Sequence, residues 1–521
     1  MNGAHQLVHT LLAQGVDTCF TNPGTSEMHF VAALDRVEGM RCVLGLFEGV
    51  VTGAADAYWR MARRPASTLL HLGPGLGNGL ANLHNARKAG SGVVNVVGEH
   101  ALGHLALDAP LTADIEGLAR PMSGWVRTAR SAAEVGPAAR DAVIAAQRPP
   151  GQVATLVLPA DCAWGEAGEL PAALRERAAV PARAPVPAER VEAAARLLRN
   201  GQPTLLLLGD AACFDAPLRQ AGRVRARSGC ALMSEFYVPR LQRGAGRVQL
   251  GRVPYAVDAA VAALAPFRQI VLVGAREPVS FFAYPGKPGR QAPAGCHVLT
   301  LAEAGEDVAG ALDALVAALD AGALAPADIV PNTVPAGALP GGRITPEGVA
   351  AVLTALLPED AVVIDESVSA GRALGPATAA AAPHDWLAVM GGSIGWGLPA
   401  AVGAAIGAPG RRVLALEGDG SAMYTIQALW TMAREALPVT VVVFANRAYN
   451  ILLGEYAGVG AGTPGPRAAH MLRLDAPVLD FVGLARSMGV EAARVDDLEG
   501  LATQLRRGFA AEGPCLIEAV L

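Results

Sequence analysis

Charge and aromatic residues are both scarce. Of 521 residues, 17% are charged and 5% aromatic, against 52% hydrophobic. A chain this apolar can supply a large interior, and so little charge fits a surface partly hidden in an oligomer. No basic excess exists: Lys and Arg number 42 and Asp and Glu 47, a formal net charge of −5, so nucleic-acid binding has no electrostatic basis. The seven cysteines contain no C-x-x-C pair, which speaks against a disulfide framework and a zinc site. They read as small core residues in a reducing cytoplasm. The opening MNGAHQLVHTLLAQGVD lacks a basic n-region and a long apolar core, so no signal peptide is expected. One stretch, Leu387 to Ala408, is uncharged and long enough to span a bilayer. Its glycines at 391, 392, 395, 397, 403 and 407, with Pro399 in the middle, suit a buried strand, loop and helix instead, so no membrane is expected. Finally, no G-x-G-x-x-G follows the first strand of any segment with a ribose-binding acid at the expected distance, which leaves a dinucleotide oxidoreductase without support.

What is present begins with proline. Pro171, Pro181, Pro185 and Pro187 form one cluster, and Pro326, Pro331, Pro335, Pro340 and Pro346 another. Read as extended connections, they divide the chain into 1–170, 190–325 and 343–521, each of ordinary domain size. Each segment alternates short apolar runs with helical periodicity: VDTCF, RCVLGL, ASTLLHL, GVVNVVG and VATLVLP in the first, TLLLLG, QIVLVGA and HVLTL in the second, AVVIDE, WLAVM, RVLALEGD, VTVVVFAN and PCLIEAV in the third. Strands buried on both faces and separated by helices predict α/β architecture with three doubly wound parallel-sheet domains.

The most informative stretch is the third segment's GDGSAMYTIQALW followed by VTVVVFAN. VLALE delivers Asp419 between Gly418 and Gly420, SAMYTIQALWTMA reads as a helix, and the next strand closes at Asn446. Such a βαβ unit places Asp419 and Asn446 at the carboxyl ends of neighbouring parallel strands. A carboxylate and a carboxamide there suit a hard cation, with diphosphate oxygens and water completing its octahedron. Gly418 and Gly420 let backbone approach phosphate, and the helix N-terminus adds a favourable dipole. A lone GDG is more often a structural turn; the 27 residues from Asp419 to Asn446 and the strand–helix–strand context set this one apart.

That combination resembles the diphosphate–magnesium motif of thiamine-diphosphate enzymes. Asn22-Pro23-Gly24-Thr25-Ser26-Glu27, LLHLGPGLGNGLANL at 69–83, ARPMSGWVRTARSAAEV from Ala119-Arg120-Pro121 to Val135, DESVSAG at 365–371 and GGSIGWGLPAAVG at 391–403 resemble benzoylformate decarboxylases along essentially the whole chain. The resemblance implies a pyrimidine-binding, a middle and a diphosphate-binding domain. It implies thiamine diphosphate and Mg2+ as cofactors, with Asp419, the Asn446 side-chain oxygen and the Ala448 carbonyl on the metal. Ser369, Ser421 and Tyr424 would lie near the diphosphate, Asn22, Pro23 and Gly24 in the cofactor-binding region, and Ile394 would prop the cofactor in its V shape. Glu48, opening the helix EGVVTGAADAYWRMARRP, would meet N1′ of the aminopyrimidine, a task needing a carboxyl group in dry surroundings. His71, placed at the end of the strand STLLHL, would exchange protons with cofactor-bound intermediates, which an imidazole near neutrality suits. Thr25 stands where the family has a substrate-binding serine. His84, His100 and His104 have no assigned partner and default to structure or surface.

The implied reaction is decarboxylation of a 2-oxo acid, carboligation to an aldehyde or a second oxo acid, or both, through an enamine. The sequence departs from the family at Arg276–Tyr284, where Phe281 and Phe282 stand and no histidine does, and at Glu99, where many relatives have glutamine. Loss of one proton relay favours carboligation over release of a free aldehyde. An acetolactate-synthase-type ligase is the close alternative; those relatives carry FAD, but TLLLLGDAACFD offers only a weak Gly209 turn, so FAD is not expected. A cofactor-binding paralogue without catalysis is the remote one, opposed by Glu48 beside Asp419 and Asn446. In the family the cofactor lies between two chains, so a homodimer at minimum, and a homotetramer as a dimer of dimers, is expected.

Overall fold

Three sheets organise the computed structural model, which describes residues 1–331 and 339–521. Pro335 of the second proline cluster therefore lies outside the described residues. The first sheet contains β1 (Thr18–Asn22), β2 (Arg41–Leu44), β3 (Ala66–Leu70), β4 (Val93–Glu99), β5 (Trp125–Thr128) and β6 (Val153–Pro159), in the order β2-β1-β3-β4-β6-β5, all parallel. The second contains β7 (Thr204–Leu208) and β8 (Ala231–Ser234), while β9 (Leu241–Arg243) leaves it for the third. With β10 (Gly251–Arg252), β11 (Gln269–Val273) and β12 (His297–Ala302) the second sheet runs β10-β8-β7-β11-β12, again parallel. The third sheet, from β13 (Val362–Glu366), β14 (His384–Ala388), β15 (Val413–Gly418), β16 (Val439–Ala445), β17 (Glu491–Val495) and β18 (Cys515–Val520), runs β17-β18-β16-β15-β13-β14-β9. Its one antiparallel member is β9, paired to β14 as His384↔Arg243. The middle segment thus caps an edge of the last sheet, a covering that an open edge needs.

The sheets are covered on both faces because their strands are apolar on both. In the first, Leu69, Val94, Val96, Leu156 and Leu158 belong to one core, and Phe20, Leu70, Val93, Val97 and Val157 to another. The second of these cores continues into the third sheet through the helices Glu48–Ala62 and Gly397–Gly407. Small residues permit the approach: a methyl group added at Gly403 would lie 1.9 Å from the Ala54 carbonyl oxygen, and one at Gly53 2.6 Å from Pro399 Cβ. The uncharged Leu387–Ala408 stretch is therefore the end of β14, a loop and this buried helix. Among the described residues no helix is long and apolar enough to cross a membrane.

Three expectations are corrected. SAMYTIQALWTMA is not one helix but two short ones, Asp419–Ala422 and Ala428–Arg434. The break falls where Thr425 Oγ1 donates to the Gly395 carbonyl at 3.0 Å, a side-chain bond that competes with continuous helix. His71 does not end a strand; β3 stops at Leu70, and His71 is the residue before the helix Leu72–Ala89. All seven cysteines are free, but Cys42 is exposed and not a core residue.

Candidate active site

At the carboxyl end of the third sheet, β15 pairs with β16 up to Gly418↔Phe444, so Asp419 and Asn446 emerge from adjacent strand ends. Asp419 is buried, and one carboxylate oxygen accepts from Gly420 N at 2.9 Å and the other from Arg447 N at 2.5 Å. Burial pushes its pKa up, and these N–H groups pull against that shift. Arg447 adopts φ +57, a left-handed turn that brings its own N–H back to Asp419 and follows Asn446 directly. Asn446 Oδ1 accepts from Ala448 N at 3.0 Å. A carboxylate, an amide oxygen and main-chain carbonyls are oxygen donors, the set a hard cation takes. Ser421 is buried beside Asp419, and Tyr424 is 54% exposed.

The loop carrying Ile394 is held from two sides. Glu366, at the end of β13, accepts from the backbone N–H groups of Gly395, Trp396 and Gly397 at 2.9–3.1 Å. From the first domain, Asn82 Nδ2 donates to Gly395 O at 3.1 Å and Asn85 Nδ2 to Ser393 O at 2.8 Å. Trp396 Nε1 donates to Asp56 Oδ2 at 2.7 Å, and the same carboxylate pairs with Arg60 at 2.6 Å in full burial. His84 has a partner after all, the Gly391 carbonyl at 3.2 Å. Ile394 is half-buried on this fixed loop. Ser369, also half-buried, follows Val368, whose φ of +49 is left-handed. Such conformations cost about 1–3 kcal/mol each and persist only where surroundings over-determine them.

On the first domain, Glu48 opens its helix and its Oε2 accepts from Asn78 Nδ2 at 3.0 Å. A methyl group at Gly75 would sit 3.3 Å from both Glu48 Oε1 and His71 Cβ, so glycine there lets the two candidate residues flank one point. His71 Nδ1 meets Glu27 Oε2 at 2.8 Å, and Gly24 N donates to the same oxygen at 2.8 Å. Glu27 is buried and its other oxygen has no partner among the described residues. Burial raises its pKa, with His71 opposing the rise. Leu72, next to His71, is again left-handed at φ +53. Asn22, Pro23 and Gly24 are half-buried at the end of β1, and Thr25 is exposed beyond them. Glu99 is buried, its carboxyl raised by desolvation and accepting from His100 N at 2.8 Å.

Sequence reasoning did not assign Glu27, Glu366, Asp56, Asn82 or Asn85. Glu27 and Glu366 lie inside the quoted motifs, but the histidine and loop they serve are 44 and about 30 residues away in sequence. Among the described residues no hydrogen bond joins the Glu48–His71 group to the Asp419–Asn446 group.

Residues 1–117 match the thiamine pyrophosphate enzyme N-terminal TPP-binding domain, and residues 371–519 the C-terminal TPP-binding domain. The two matches contain Glu48 with His71 and Asp419 with Asn446, respectively. The chain belongs to the thiamine pyrophosphate enzymes. Within them it is 51% identical over its full length, and 99% of the relative's, to a Mycobacterium tuberculosis protein named as an acetolactate synthase large subunit. It is 32% identical to a Pseudomonas aeruginosa benzoylformate decarboxylase, over 99% of this chain and 98% of that one. A solved thiamine diphosphate-dependent 4-hydroxybenzoylformate decarboxylase of Rhodococcus jostii RHA1 superposes with a TM-score of 0.86 at 26% identity, covering 100% of this chain and 99% of that one.

Proposed function

We propose that this thiamine diphosphate enzyme is Mg2+-dependent and acts on a 2-oxo acid, decarboxylating it, joining the resulting fragment to an aldehyde or second oxo acid, or both. The observation that carries the reading is the emergence of Asp419 and Asn446 from adjacent parallel strand ends, with oxygen donors only. Asp419, the Asn446 amide oxygen and the Ala448 carbonyl would hold Mg2+, with Gly418, Gly420, Ser421, Tyr424 and Ser369 toward the diphosphate. Bound thiamine diphosphate supplies an electron sink for the carbon that loses CO2. The chain's own residues manage geometry and protons. Ile394, fixed through Glu366 and Asn82, is a rigid prop for a bent cofactor. Glu48 offers a carboxyl group that can hold a proton at one ring nitrogen. Glu27 and Gly24 fix the His71 ring through Nδ1, leaving Nε2 to give or take a proton. Thr25 is a hydroxyl donor for a substrate carboxylate.

Carboligation of the acetolactate-synthase kind is the second reading. It is favoured by Phe281, which packs over the Gly392 position of the Ile394 loop and brings no proton donor there. The site is proposed to lie between two chains of a homodimer, paired into a tetramer in the cytoplasm. The test is a panel of 1-13C-labelled 2-oxo acids, with and without aldehyde acceptors, followed by NMR. Labelled CO2 with an aldehyde or a hydroxyketone product is expected; turnover of none of them, with thiamine diphosphate and Mg2+ bound, would contradict the proposal.

A further inference from the structure

A cavity of about 460 Å3 lies between the second and third sheets, outside every candidate residue above, and is lined mostly by apolar groups. That volume falls in the range of small-molecule sites. Three arginines face it: Arg243 from β9, Arg252 from β10, and the exposed Arg372 from the loop after β13. Among the described residues none of the three meets a carboxylate in an ion pair. Asp365, the acid that favours the charged form of Arg243, is itself engaged by Ser367 Oγ at 2.5 Å and Trp386 Nε1 at 3.2 Å.

Each guanidinium is instead stacked on an aromatic ring: Arg243 on Trp386 at 5.0 Å, Arg252 on Phe236 at 4.9 Å and Arg372 on Tyr255 at 5.2 Å. Stacking fixes the plane of the cation; Arg252 Nη2 donates to the Arg372 carbonyl at 3.2 Å, and the remaining N–H groups can meet an oxyanion in the geometry by which arginine recognises carboxylate and phosphate. Burial lowers Arg243 to about 10, Arg252 beside it adds to the fall and Asp365 opposes it, so Arg243 is still charged at neutral pH and a bound anion would offset the cost of its burial. Gly375 completes the cradle, since a side chain there would point between Arg243 Nη1 and Arg252 Nη1, at 3.8 and 4.0 Å.

We propose that this cavity is a second ligand site, for a small organic anion with a carboxylate or phosphate head on the three arginines and an apolar body in the pocket. A dinucleotide does not fit the adjoining middle sheet. Its phosphates would need the crevice beyond β7 and β11, where Glu235 lies so close that a methyl group at Gly209 would meet its Oε2 at 2.5 Å. A smaller gap lined by Phe236, Arg252, Tyr255 and Arg372 leads from the cavity to Glu366 and Val368, so the ligand would border the strand end that supports Ile394 and Ser369.

Isothermal titration of the holoenzyme with hexyl phosphate and with heptanoate tests the site, because the two probes share an apolar body and differ in the head. Saturable binding of one molecule per chain is expected, weakened at least 10-fold by Arg252→Met and by the cavity-filling Gly375→Leu. Retention of thiamine diphosphate by both variants checks their fold. Tighter hexyl phosphate identifies a phosphate head, tighter heptanoate a carboxylate head. The proposal is overturned if neither probe binds, if both variants bind like the wild type, or if FAD binds one per chain in this cavity.

Discussion

Glu48, Asp419 and Glu235 are three acids in different surroundings, and each makes a separate prediction. Glu48 is assigned by its place at the head of the helix Glu48–Ala62 and by its approach to Gly75 beside His71. Glu48→Gln keeps size and the Asn78 contact but cannot share a proton as a carboxyl does. C2–H/D exchange of bound thiamine diphosphate, followed by quenched NMR, should slow by at least ~100-fold, the lower end of general acid–base contributions. Asp419→Ala removes the one charged oxygen donor from the strand-end cluster, so the protein should no longer retain Mg2+ or thiamine diphosphate on gel filtration. Wild-type retention in EDTA-treated buffer would remove Asp419 from the metal site. Glu235 has a pKa raised to about 7 by burial, its ordinary value being 4.5. The native state thus keeps a proton that the unfolded state releases between those values, and stability falls as pH rises through this window. The loss amounts to about 3 kcal/mol by the linkage relation. Glu235→Gln can still accept from Arg276 N, so its melting temperature should match the wild type near pH 4.5 and exceed it above pH 7.

Among the elements, the contact between the helices Glu48–Ala62 and Gly397–Gly407 matters most, because it joins the Glu48 domain to the loop that carries Ile394. Gly403→Val would force carbon onto the Ala54 carbonyl, and denaturant unfolding should show a loss of about 3 kcal/mol, the upper end of overpacking costs. Unchanged stability would mean that the helices do not pack as described. Much of this architecture was legible in the sequence, since a strand buried on both faces writes its own apolar run: VATLVLP is β6 residue for residue. The strands that escaped notice lack that signature. In β17, EAARV, only Val495 is buried, in β5, WVRT, no residue is, and in β8, ALMS, every second one is; β10 has two residues, and β9 is recognisable only through its partner β14. In the site, Asp419 and Asn446 were legible because they are bound to the ends of two such runs. Glu27, Asp56 and Glu366 were not, since their meaning lies in partners brought near by folding: His71, Trp396 and the backbone of residues 395–397.

For the whole molecule, the central claim is that Glu48 and Asp419 act on one cofactor, and that they reach it from different chains. Low charge content suits an extensive subunit interface, and closed twofold symmetry would generate two equivalent sites. The most direct test mixes Glu48→Gln and Asp419→Ala subunits by reversible dissociation and reads fast C2–H/D exchange of bound thiamine diphosphate, which requires no knowledge of the substrate. In a random mixture half the dimers are mixed and each of these holds one intact site of two, so about a quarter of the wild-type signal should return. No fast exchange in dimers proven to be mixed would place both residues of a site on one chain, and full activity of a sedimenting monomer would refute the shared site outright.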